Sequence, residues 1–183
     1  MSSKSLVVVG LAFLVLALTA GVSRGQQSEM VQKQLQMAME NMAKVMLDMP
    51  MPDRPKYMMQ QQQESIQRGT ALFSNASIGR NGQTCNACHP GGGTTGGEAE
   101  IAMRGRFPMN PRLPIPTLAG AAATFPKYKV PNDAVITLAT MDNNCIKMFM
   151  MGEGLDLAGQ QAHDLAAYVS TLSNGDEVAV GGM

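Results

Sequence analysis

Read by its apolar and polar positions, the chain divides into a leader, three helices and a long loop-rich middle. The run from Leu6 to Ala20 is almost wholly apolar, follows Lys4, and gives way to small residues and Arg24. A basic start, a short apolar stretch and a small-residue exit are the layout of a secretory signal. Residues 1–25 are therefore expected to be a signal peptide, with cleavage after Gly21, Ser23 or Gly25 all open. The run is short for a membrane span, which takes about 20 apolar residues. Membrane attachment is expected only if the signal stays uncleaved, and no cysteine near the exit offers a lipid anchor.

Beyond the leader, Val31, Leu35, Ala38, Met42, Val45 and Met49 recur at intervals of three and four, one face of an α-helix. That spacing predicts a helix from Ser28, as cap, to about Asp48, closed by Pro50 and Pro52. A second helix is predicted from Tyr57 to Ser74, with Gly69 and Phe73 one turn apart on one face. A third runs from about Gly159 to Leu172, with Leu165, Tyr168, Val169 and Leu172 as its apolar stripe and Gly175 closing it. Between them, Pro108, Pro111, Pro114 and Pro116 impose an extended path, and Gly91 to Gly97 reads as a connector. That glycine loop lacks the G-K-[ST] of a phosphate cradle. Strand signal is almost absent, so the expected fold class is all-α. Its parts are a signal peptide (1–25), a Met-rich helical extension (26–56), one domain (57–175) and a polar tail (176–183).

The 183 residues carry 14 basic and 14 acidic side chains, and tryptophan is absent. Lys4 and Arg24 leave with the leader, so the exported chain is slightly acidic. No basic cluster with interleaved aromatics is present, which excludes a nucleic-acid partner. Many of the 17 methionines fall in the first helix. Thioethers favour Cu(I), but methionine is also a good helix former and a flexible apolar packer. An exposed methionine stripe suits docking to a larger complex or to a second copy of the chain.

Chemistry enters at Cys85-Asn86-Ala87-Cys88-His89. A C-x-x-C-H run is the attachment site of a c-type haem. Two thiols three positions apart form thioethers to one porphyrin, and the histidine after them becomes the proximal iron ligand. A zinc site lacks partners, since only Cys145 and His163 remain, and a thioredoxin-like dithiol lacks its βαβ setting. One covalent haem c, held by Cys85, Cys88 and His89, is the expected cofactor. It also supplies the apolar bulk that a small, aromatic-poor domain needs. A metal-bound histidine donates its other ring N–H to a nearby acceptor, here a carbonyl of Pro114 or Pro116.

What lies opposite His89 sets the function. Methionine raises the potential and suits electron transfer, whereas a thiolate donates charge and lowers it. The candidates occupy Asn143 to Gly152, read as a loop before the last helix. Position favours Met150, then Met148. Cys145 competes as the thiol left over from attachment, and an odd cysteine in an exported protein is a candidate ligand or reactive group. His163, off the apolar face of the last helix, reads as a solvated surface residue.

Arg68-Gly69-x-x-Leu72-Phe73 resembles the opening helix of a cytochrome c domain. Such folds cross their first and last helices at a small residue and an aromatic, here Gly69 and Phe73 against Leu165 and Tyr168. Further on come Phe125-Pro126-Lys127-Tyr128, Val135-Ile136-Thr137-Leu138, Asn143-Asn144-Cys145, Met150-x-Gly152-x-x-Leu155 and Leu165-x-x-Tyr168-Val169-x-x-Leu172-Ser173-x-Gly175. These resemble the C-terminal half of thiosulfate-oxidising cytochromes c, namely the haem subunit of the sulfur-oxidising complex and the thiosulfate dehydrogenases. The resemblance implies that Cys145 ligates haem iron and takes part in forming a sulfur–sulfur bond. It also implies an arginine four residues before that cysteine, where this chain has Met141. Lys147, Lys127 and Arg106 are the candidate replacements for its charge.

The reading that follows is an exported, periplasmic monohaem cytochrome passing single electrons between redox partner proteins. Cys145 stands slightly ahead of Met150 as distal ligand. The alternative is a sulfur-compound oxidoreductase with Cys145 as haem ligand or sulfur carrier.

Overall fold

A computed structural model of the chain describes residues 24–100 and 112–182. It divides into two compact units, one ending at Lys56 and the other beginning at Tyr57. The leader expected over residues 1–25 lies outside the described residues, apart from Arg24 and Gly25.

The first unit is built on α1 (Arg24–Ala43), which runs on through a π-helical turn at Lys44–Asp48. Ser28 is thus inside the helix and does not cap it, because the residues before it continue the same turn. Pro50 stops the helix, and Arg54 covers its open end. The guanidinium donates to the carbonyls of Met46 at 2.6 Å and Met49 at 3.1 Å, satisfying acceptors that a helix end leaves free. The apolar face is exposed: Val31 is 61%, Leu35 59% and Met42 62% accessible.

The second unit centres on α2 (Arg54–Phe73) and α5 (Gln160–Thr171). The two helices cross where Gly69 meets the backbone of Asp164 and the Cβ of Tyr168. The Phe73 and Tyr168 rings meet edge to face at 5.2 Å, a favoured geometry for aromatic pairs. Beside the crossing, buried Asp164 accepts from Arg68 at 2.8 and 3.0 Å, from Ser65 at 2.6 Å and from Gln160 at 2.8 Å. Leu72, Phe73, Ile146, Met150, Leu165 and Val169 form the core.

The second unit also departs from an all-helical reading. Among the described residues it holds two antiparallel strand pairs, β1 (Gly97–Glu100) with β2 (Arg112–Ile115), and β3 (Lys127–Lys129) with β4 (Ala134–Ile136). The fold is mostly helical, with these strands too short for their alternation to register in the sequence. Within the stretch read as a ligand loop runs a further helix, α4 (Leu138–Met148), capped by Thr137, whose hydroxyl accepts from the Thr140 N–H at 3.3 Å. The tail after Gly175 is tied down: Ala179 and Gly181 donate to the carbonyls of Ala123 and Thr124. Among the described residues no helix is long and apolar enough to cross a membrane.

Candidate functional site

The C-x-x-C-H run forms one helical turn, α3 (Cys85–Cys88). Thr84 caps it, its hydroxyl accepting from the Ala87 N–H at 3.0 Å. The His89 N–H closes the turn on the Cys85 carbonyl at 2.8 Å. A single turn places Cys85 and Cys88 on the same side. The glycine loop that follows packs closely and is no loose connector. Gly92 N–H donates to the Asn86 side chain at 2.8 Å, and the Gly92 carbonyl accepts from the Tyr168 hydroxyl at 2.8 Å. A methyl group on Gly93 would lie 2.7 Å from Leu172, and one on Gly97 2.6 Å from the Cys88 carbonyl. Only glycine lets loop and strand approach this near.

His89 Nδ1 lies 2.8 Å from the carbonyl oxygen of Pro116. A carbonyl only accepts, so the Nδ1 atom carries the proton and Nε2 keeps its lone pair. Burial lowers the pKa of the ring against the opposing pull of that hydrogen bond, which favours the neutral, ligating form. Of the two proline carbonyls named by sequence, Pro116 holds the histidine. Pro114 is a strand residue paired with Glu98.

Across from this turn, α4 presents Asp142 and Cys145. Burial pushes the Cys145 thiol up to about 12, with the Asp142 carboxyl and the Cys85 and Cys88 thiols adding to the effect, while Lys129 opposes it. Burial likewise drives Cys85 up to about 12, with Asp142 next in weight. The three cysteines and Asp142 therefore share one electrostatic neighbourhood. Burial raises the Asp142 carboxyl to about 7, and its Oδ2 is shielded with no hydrogen-bond partner.

The two methionines differ. Met150 is 2% accessible and belongs to the core against which Cys85 packs. Met148, 44% accessible, faces outward at the end of α4. The segment carrying Met150 is fixed on both sides. Asn143 holds Leu155 by two hydrogen bonds of 2.7 Å, side chain to carbonyl and amide to side chain. Arg80 N–H donates to the Met150 carbonyl at 2.8 Å, Asn81 Nδ2 donates to the Phe149 carbonyl at 2.8 Å, and Arg80 pairs with Glu153.

Among the cations considered, Lys147 is exposed and Lys127 stands over the Phe125 ring, 5.1 Å from its centre. Arg106 lies outside the described residues. Lys129, which sequence reasoning passed over, shares the Phe125 ring at 5.8 Å and acts on Cys145. Asp142, next to Met141, is not among the residues that the sequence singles out. Neither carries a local signal, since hairpin and helix bring them to the cysteines from different parts of the chain. His163 is exposed on α5.

Residues 114–178 match the family described as SoxA/TsdA, cytochrome c domain. Over these residues the chain resembles the SoxA/TsdA cytochrome c domain. The matched stretch contains Pro116, Asp142, Cys145 and Met150, and starts after the C-x-x-C-H turn. A thiosulfate dehydrogenase of Allochromatium vinosum is 32% identical over 119 residues, covering 61% of this chain and 38% of the relative. A cytochrome c domain implies covalent haem c. The site suits that group on its own chemistry: two thiols on one turn, a histidine held through Nδ1 so that Nε2 keeps its lone pair, and a shielded Asp142 Oδ2 without a partner.

Proposed function

We propose that the chain is an exported c-type cytochrome with a single haem, passing single electrons between redox proteins. The observation that carries this reading is the His89–Pro116 hydrogen bond beside a C-x-x-C turn, which orients a neutral imidazole for iron. Bound haem supplies a one-electron iron couple. Cys85 and Cys88 attach it, and His89 ligates through Nε2. Ile146, Met150 and Leu72 keep water from the core side.

In this reading Cys145 would be the second protein residue to hold the haem iron. It lies in the neighbourhood of Cys85 and Cys88, where a cationic iron would offset the burial that keeps the thiol protonated. Met150 is the alternative, supported by its place in the core beside Cys85. Met148, directed to solvent, is set aside. Partners are redox proteins, reached directly or through a complex that engages the methionine-rich first helix. Export rests on the leader sequence.

A second reading, sulfur-compound oxidation at Cys145, is favoured by the thiosulfate dehydrogenase relative. Met141 holds the place of the implied arginine, and Lys129 is then a cation that acts on Cys145. Coupling two sulfur anions releases two electrons, so a one-haem protein needs an external acceptor and two passes.

The test is haem retention and redox titration of the exported protein. Haem should stay with the denatured chain, be lost from the Cys85→Ala, Cys88→Ala double variant, and titrate reversibly with one electron. Haem that extracts freely from the wild-type protein would contradict the reading. Thiosulfate turnover with an artificial acceptor, abolished by Cys145→Ala, would establish the second reading in its place.

A further inference from the structure

Asp142 is the one buried side-chain oxygen without a hydrogen-bond partner among the described residues. Native structures rarely leave such a group unexplained. A carboxylate oxygen shielded from water is tolerated when a positive charge or a donor lies nearby, and Oδ2 has no protein donor. Asp142 lies on α4 one turn before Cys145 and Ile146, so its side chain shares their face. Ile146 is fully buried in the core, and Cys85 packs against that same core. The carboxyl thus lies on the helix face that carries the candidate ligand Cys145, and its charge acts on the Cys145 and Cys85 thiols.

We propose that Asp142 is a redox-tuning residue whose buried negative charge, near the attachment thiols, would lower the reduction potential of a haem held there. This rests on haem attachment at Cys85 and Cys88. A fixed carboxylate in a low-dielectric pocket stabilises the ferric state over the ferrous, since the ferric haem carries one more positive charge. In return, the charge of the iron supplies what the carboxyl lacks in protein partners. Thiolate ligation by Cys145 acts in the same direction, so the two α4 residues together set the chain for low-potential partners.

The experiment compares reduction potentials of wild-type holoprotein, Asp142→Asn and Asp142→Glu at mildly alkaline pH, with the visible spectrum recorded for each. The Asn variant, close in shape but uncharged, should titrate at higher potential with unchanged spectral bands. The Glu variant should stay nearer the wild-type value. An Asn variant at the wild-type potential would overturn the proposal, because the carboxyl would then be neutral or remote from the iron. An altered ligand spectrum in the Asn variant would also overturn it, since the residue would act by holding a ligand. Should the Asn variant fail to load haem, Asp142→Ser is compared with Asp142→Glu, and equal potentials would refute the charge effect. Wild-type protein without covalent haem would instead be a failure of the proposed function.

Discussion

Gly69 lies so close to Asp164 that a methyl group there would overlap the Asp164 carbonyl oxygen and sit 2.8 Å from the Cβ of Tyr168. The contact fixes how α2 and α5 cross, and with it the edge-to-face pair of Phe73 and Tyr168. In a solvent-facing helix, alanine for glycine gains about 1 kcal/mol. Gly69→Ala should instead destabilise the domain by about 1–3 kcal/mol, the usual cost of overpacking. Thermal or denaturant unfolding measures the sign, and a stabilised variant would show that the crossing is loose.

Asp164 gives that crossing a pH dependence. Burial raises its carboxyl, but the hydrogen bonds from Arg68, Ser65 and Gln160 outweigh burial and hold it below the ordinary range. A folded-state pKa below the unfolded one adds stability that is complete above about pH 4 and fades as pH falls through the folded value. Arg68 is half-exposed, so solvent screens the pair and weakens its share of that stability. Asp164→Asn should lower stability at neutral pH and flatten the acid limb of the stability profile. Parallel acid limbs for the two proteins would refute this.

Asn143 ties α4 to the segment after it through both hydrogen bonds to Leu155. Asn143→Ala leaves a buried N–H and a carbonyl without partners, at about 1–3 kcal/mol. The variant should unfold earlier, and amide exchange should rise across residues 149–157 before the rest of the domain. Uniform exchange would mean that the segment is held elsewhere.

Much of this arrangement is legible in the chain itself, where the signal is local. Three- and four-residue spacing marks the helices, and Gly69, Phe73 and Tyr168 mark their crossing. The C-x-x-C-H run points to its own turn, and one of two named prolines orients His89. Asn143 and Asn144 are poor helix formers, so α4 was hidden although Thr137 offers a cap. The strands at residues 97–100, 112–115, 127–129 and 134–136 are shorter than the alternation that would reveal them. Asp142 and Lys129 have meaning only in three dimensions, because nothing in their neighbours says that Asp142 acts on Cys85 or that Lys129 acts on Cys145.

The central claim is that haem held at Cys85 and Cys88 has Cys145 as its distal ligand. Near-infrared magnetic circular dichroism of the oxidised holoprotein tests it most directly, with Cys145→Ala measured alongside. A thiolate-type charge-transfer band, lost in the variant, is the expected result. A methionine-to-iron band that survives the substitution would contradict the claim and place Met150 on the iron.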